Sequence, residues 1–131
     1  AVEIAIDDMD AENKKYKKWT DTMLEKFSAV GGKLNGHLTN RLTHNLNIRF
    51  DGVQSKSIIN TVSKKLAISA GSACTSDLVE PSHVLLALGL SEDQAHNSIR
   101  IGCNRFNTDE EIDFAIKEIL NALESIAKIR V

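Results

Sequence analysis

Apolar residues over positions 1–29 recur at helical spacing. Val2, Ile6, Met9, Tyr16, Met23 and Phe27 fall on one stripe, which predicts a single long helix with one face toward a core. No Ser, Thr, Asp or Asn precedes Val2 as a cap, so the helix is expected to continue from a preceding segment. The chain then reads as a fragment, or as one subunit of a split protein. Gly31-Gly32 predicts the helix end, because glycine takes the left-handed C-terminal position without steric penalty. Lys33 to His44 is polar and mixed, as in a loop or a short edge strand. Leu46, Ile48 and Phe50 alternate with Asn47 and Arg49, the pattern of a half-buried strand. Asp51-Gly52 predicts a turn. Ser55 is expected to cap a short helix carrying Ile58, Ile59 and Val62, and Leu66 to Ala70 to form a second strand.

Gly71 to Glu80 has neither a helical nor a strand period. Small and polar, it predicts an exposed, mobile loop. Pro81-Ser82 opens a helix through Leu88, and Gly89 stops it. Ser91 with Gln94 forms a capping box for a further short helix. Asn97 to Gly102 predicts a third strand, with Ile99 and Ile101 on one face and Arg100 on the other. Thr108 with Glu111 makes a second capping box. The helix that follows runs to about Ile129, with Ile112, Ala115, Ile116, Ile119, Leu123 and Ile126 inward. The expected fold class is α+β: a small, predominantly antiparallel sheet of three or four strands, covered by two long terminal helices and several short ones. There is no repeat, low-complexity segment or linker.

Composition adds bounds. A chain of 131 residues with 42% hydrophobic and 26% charged residues is sized for one domain with a real core. Its formal net charge of -2 gives no broad field to attract nucleic acid or an anionic membrane. No apolar run approaches the roughly 18–20 residues that span a bilayer, and the N-terminus lacks a signal pattern. The two cysteines, Cys74 and Cys103, form no CxxC. That argues against a disulfide framework or a zinc site, and fits a reducing, cytoplasmic compartment.

Cys74 carries the first candidate chemistry. Its neighbours Gly71, Ser72, Ala73, Thr75 and Ser76 are small or polar, which leaves a thiol accessible for nucleophilic work. An exposed thiol without a role fits the same composition. Arg100 is the second candidate: a rigid strand can hold its planar fork for a bidentate grip on a carboxylate. A surface arginine in a structural ion pair fits equally. His37, His44, His83 and His96 have no metal-ligand spacing. His83 follows the cysteine segment, but no Asn or Asp orienter can be placed for a Cys–His pair. Lys14-Lys15 and Lys17-Lys18 interleave with Tyr16 and Trp19, and closely flanking acids make this a solvated helix face.

The stretch from Leu66 to Leu90, LAISAGSACTSDLVEPSHVLLALGL, closely resembles the active-cysteine loop of the cysteine desulfurases. These belong to the class V aminotransferase group of fold-type I pyridoxal-phosphate enzymes. The likeness continues through His96 to Gly102 (HNSIRIG), Arg105-Phe106 and Thr108 to Asp113, and upstream through Asn45 to Phe50 (NLNIRF). It spans nearly the whole chain, and the GSACTS form resembles the family branch with a long, mobile cysteine loop. Residues 1–131 would then be the C-terminal small domain, including the end of a linking helix.

The resemblance implies a mechanism. Pyridoxal phosphate activates L-cysteine, the Cys74 thiolate attacks the substrate sulfur, and alanine leaves while a persulfide remains on Cys74. Arg100 matches the family's arginine that holds the substrate carboxylate. Implied partners are a cofactor-binding large domain or N-terminal chain, a sulfur acceptor such as an iron–sulfur scaffold protein, and a second copy in a homodimer. The family's cofactor lysine sits in a Ser-x-His-Lys segment that is absent here, so this chain alone is expected to be inactive and to bind no cofactor. Thr43-His44 replaces the family's usual Pro-Gly, and Cys103 has no family role. The alternative is a stand-alone persulfide carrier or interaction module without its own cofactor. An inactive domain with an accidental thiol is the least consistent with an intact GSACTS and Arg100.

Overall fold

In a computed structural model, the backbone is described for residues 2–70 and 80–129, with side chains from residue 6 onward. Helix α1 (Val2–Ser28) ends at Gly31, whose φ of 88° needs no side chain. Strands β1 (Gly32–Leu34) and β2 (Asn45–Phe50) follow, then the helices α2 (Ser55–Val62), α3 (His83–Ala87) and α4 (Glu92–His96), strand β3 (Ser98–Gly102) and helix α5 (Asp109–Ile129). The strands form one antiparallel sheet in the order β1-β2-β3. Ile48 is opposite both Leu34 and Ile99, and Leu46 is opposite Ile101. The expected α+β class, with a small antiparallel sheet and a long helix at each end, is what forms.

Period-two alternation divides the sheet into two faces. Leu46, Ile48, Phe50, Ile99 and Ile101 share the core face and pack with Tyr16, Trp19, Met23 and Phe27 of α1, Ile58 of α2, and Ile112, Ile116 and Ile119 of α5. Fully burying one such side chain contributes about 1.5–3 kcal/mol. Phe27 meets Phe50 edge-on, with ring centroids 6.0 Å apart. Both capping boxes are present: Ser91 with Gln94, and Thr108 with Glu111. Among the described residues, no helix is long and apolar enough to cross a membrane.

Four expectations change. The stripe on α1 is buried only from Tyr16 onward, since Ile6 and Met9 are 63% and 52% exposed. Leu66 to Ala70 is no strand. It makes one bridge, Ser69 to Arg100, and its first residue still closes α2: the Leu66 N–H, like that of Lys65 before it, donates to the Val62 carbonyl. Ser55 does not cap α2. Gln54 holds the cap position without a side-chain bond, and Ser55 is the buried first residue of the helix. The paired lysines are also more than a solvated face. Lys15 Nζ donates to the carbonyls of Arg105 and Asn107 at 3.2 and 3.0 Å, and Lys18 pairs with Asp109. Together they staple α1 to the turn before α5.

Candidate functional site

The face of the sheet away from the core is polar. β2 supplies Asn45, Asn47 and Arg49, and β3 supplies Ser98 and Arg100. Arg100 stands directly opposite Asn47. Its backbone is fixed on the other side by Ser69: the Arg100 N–H donates to the Ser69 carbonyl at 2.7 Å, and the Ser69 N–H donates back at 3.2 Å. The side chain is exposed, and its guanidinium forms no ion pair among the described residues. The structural ion pair that the sequence also allowed is therefore not what the described residues make. Beside it opens a recess lined by Ala67, Ile68, Ser69, Arg100 and Gly102. A methyl group added at Gly102 would meet nothing within 4 Å.

Next to this pair lies a buried hydrogen-bond chain. Asn35, only 6% exposed, donates from Nδ2 to Asn47 Oδ1 at 2.7 Å and to Ser98 Oγ at 2.8 Å. Its Oδ1 accepts from Arg49 Nη1 at 2.8 Å. Ser98 Oγ donates in turn to the Gln94 carbonyl at 2.7 Å. Arg49 Nε in turn donates to Asp51. The Asp51 carboxyl is held below the usual carboxylate range, first by the Lys33 hydrogen bond and further by Arg49. Sequence reasoning missed Asn35, which falls in the polar stretch after β1. No local pattern marks a residue whose partner Ser98 is 63 positions away. Asn45 Oδ1 is buried and without a hydrogen-bond partner among the described residues.

Cys74 and the rest of residues 71–79 lie outside the described residues, so the expected exposed loop falls there too. Cys103 is a different thiol. It is 6% exposed, belongs to the core, and burial pushes its pKa up. That suits an inert structural cysteine. The histidines are dispersed. His37 Nδ1 accepts from the N–H groups of Thr39 and Asn40, His44 meets the Tyr16 ring edge-on, and His83 is exposed at the start of α3. Among the described residues, no cluster of His, Cys, Asp or Glu is placed to hold a metal.

The described residues do not fit pyridoxal phosphate. A Schiff-base lysine must be enclosed and free to react, yet none of the described lysines is buried. Lys65, which lines the recess between β3 and α5, is ion-paired with Glu118 at 2.7 Å. What this surface offers is an exposed guanidinium on a polar sheet face, with no enclosed lysine among the described residues.

A cysteine desulfurase IscS of Methylobacillus flagellatus is 46% identical over 89% of this chain, and one of Pseudomonas fluorescens 43% over 99%. The chain spans 29% and 31% of the length of those two relatives. A solved NifS-like protein superposes with a TM-score of 0.79 at 24% identity, over 93% of this chain and 31% of its own. The NifS-like protein of Rickettsia africae superposes at 0.74 with 22% identity, over 90% and 31%. These two likenesses speak for the fold alone. The family profile described as aminotransferase class-V matches residues 2–114. A match over most of the chain makes it a member of the class V aminotransferases, a family of pyridoxal-phosphate enzymes.

Proposed function

We propose that residues 1–131 form the small domain of a cysteine desulfurase. This domain would take sulfur from L-cysteine onto Cys74 and release L-alanine. The observation that carries the proposal is the Arg100 guanidinium, without an ion pair among the described residues, on an open polar sheet face with its backbone tied to Ser69. Cys74 follows Ser69 by five residues in the sequence. A mounted cation for the substrate carboxylate and a tethered thiol are the two parts that sulfur transfer from an amino acid requires. The relatives named cysteine desulfurase support the same reading.

In the transfer, the Cys74 thiolate attacks the sulfur of L-cysteine. A sulfur–sulfur bond forms and the carbon–sulfur bond breaks. The carbon keeps the electron pair and takes a proton to become alanine, so no outside oxidant is needed. Arg100 holds the carboxylate and thereby sets the distance of the substrate sulfur from Cys74. The cofactor belongs to residues outside this chain, on a large domain or companion chain. The persulfide passes on to a sulfur acceptor such as an iron–sulfur scaffold protein. We further propose a homodimer for the complete enzyme and a cytoplasmic location.

The test uses the complete enzyme. Cys74→Ser should abolish persulfide and sulfide formation while L-cysteine still binds. Arg100→Ala should raise the KM for L-cysteine about tenfold or more, the loss expected when a hydrogen bond between charged groups disappears. Desulfurase turnover retained in Cys74→Ser would overturn the proposal, and an unchanged KM in Arg100→Ala would remove the anchor.

A further inference from the structure

We propose that Asn47 supplies a second hydrogen bond to the substrate carboxylate beside Arg100, and that Asn35 sets the orientation of the Asn47 amide. The inference rests on the reading of Arg100 as the carboxylate anchor. It starts from Arg49, whose guanidinium is donor-only. Because Arg49 Nη1 lies 2.8 Å from Asn35 Oδ1, the Asn35 amide has its oxygen toward Arg49. Its Nδ2 must then face Asn47 and Ser98, as it does at 2.7 and 2.8 Å. A donor there fixes the next amide in turn: Asn47 presents Oδ1 to Asn35, and its own Nδ2 takes the other branch of the side chain. The backbone is locked in the same register, since the Asn35 N–H donates to the Asn47 carbonyl at 2.9 Å.

Asn47 is directly opposite Arg100 on the open face of an antiparallel pair. Cβ atoms so placed are about 4.5–5.5 Å apart. An amide N–H and a guanidinium at that spacing address the two oxygens of a single carboxylate, which accepts several hydrogen bonds when ionised. The next position on this face, two pairs along and opposite Asn45, is Gly102, where space above the sheet is open. Asn47 is therefore a binding residue that selects a carboxylate over a group with N–H donors. Asn35, which is buried, is a positioning residue that acts through it.

The test is made in the complete desulfurase, comparing kcat/KM for L-cysteine with that for L-cysteinamide, whose carboxylate is replaced by an amide. The ratio is taken within one preparation, so a partly unfolded variant does not distort it. Asn47→Asp keeps the acceptor that Asn35 needs but turns an oxygen toward the substrate. The expected result is a fall in the ratio of about tenfold or more, the loss of one hydrogen bond to a charged group. Asn47→Ala should lower the ratio in the same direction. Asn35→Asp changes no substrate contact. Its carboxylate can only accept, so Asn47 reverses its amide and the ratio falls again, which a merely structural role would not produce. An unchanged ratio in Asn47→Asp, with a reduced one in Arg100→Ala, overturns the role of Asn47 alone. An unchanged ratio in Arg100→Ala overturns the anchor reading and this inference with it.

Discussion

At the scale of single residues, alternation made Arg100 legible. An arginine between Ile99 and Ile101, both almost wholly buried, has to emerge on the opposite face. Its freedom from an ion pair among the described residues was not legible, because only the folded neighbourhood decides which acids lie within reach. Asn47 was visible as a polar alternant, but its pairing with Asn35 depends on a contact made by folding. Cys103 shows the reverse case. Sequence marked Cys74 as accessible from its small, polar neighbours but left Cys103 without a role, whereas the fold places Cys103 in the core with its pKa raised by desolvation. Its thiolate is therefore scarce at neutral pH and shielded from reagents. Iodoacetamide at neutral pH should leave Cys103 unmodified until the chain is unfolded, as read by peptide mass. Rapid alkylation of Cys103 in the folded protein would contradict its placement.

At the scale of elements, strong local chemistry read true. The two capping boxes and the helix stop at Gly31 form as their residues dictate. Leu66 to Ala70 misled because five residues of apparent strand pattern were partly engaged in closing α2, a competition that periodicity does not register. The joint between α1 and β1 is tight. A Cβ on Gly32 would stand 2.7 Å from the Phe27 carbonyl oxygen and 2.9 Å from Ile48 Cδ1. Gly32→Ala should thus destabilise the chain by about 1–3 kcal/mol, the usual range for overpacking. Urea unfolding measures it, and wild-type stability in that variant would mean the backbone there gives way freely.

The α1–α5 staple has a pH signature. Asp109 is held below the usual carboxylate range by the hydrogen bond from Lys18, then by that from the Trp19 indole. A lowered folded pKa adds stability that is complete above the unfolded value, near 4 for Asp, and is lost as pH falls through the lowered one. Asp109→Asn should flatten the acid side of the stability curve and leave its shape above about pH 5 unchanged. An acid limb identical to wild type would remove Asp109 from this role.

At the scale of the whole molecule, a three-stranded sheet covered on one face leaves the other face polar, with Arg100 on it. The α+β class followed from patterning alone. The separation of the cofactor from this chain is an expectation drawn from the missing lysine segment. Borohydride reduction of this chain with pyridoxal phosphate should yield no stoichiometric adduct at a single lysine. One defined adduct would place the cofactor here after all. The most direct test of the central claim is the mass of the Cys74 peptide from the complete enzyme after reaction with L-cysteine, without reductant. The account predicts that peptide heavier by one sulfur atom, while the Cys103 peptide keeps its mass and alanine appears. Alanine formed with the Cys74 peptide unchanged and the added sulfur on another residue would contradict it.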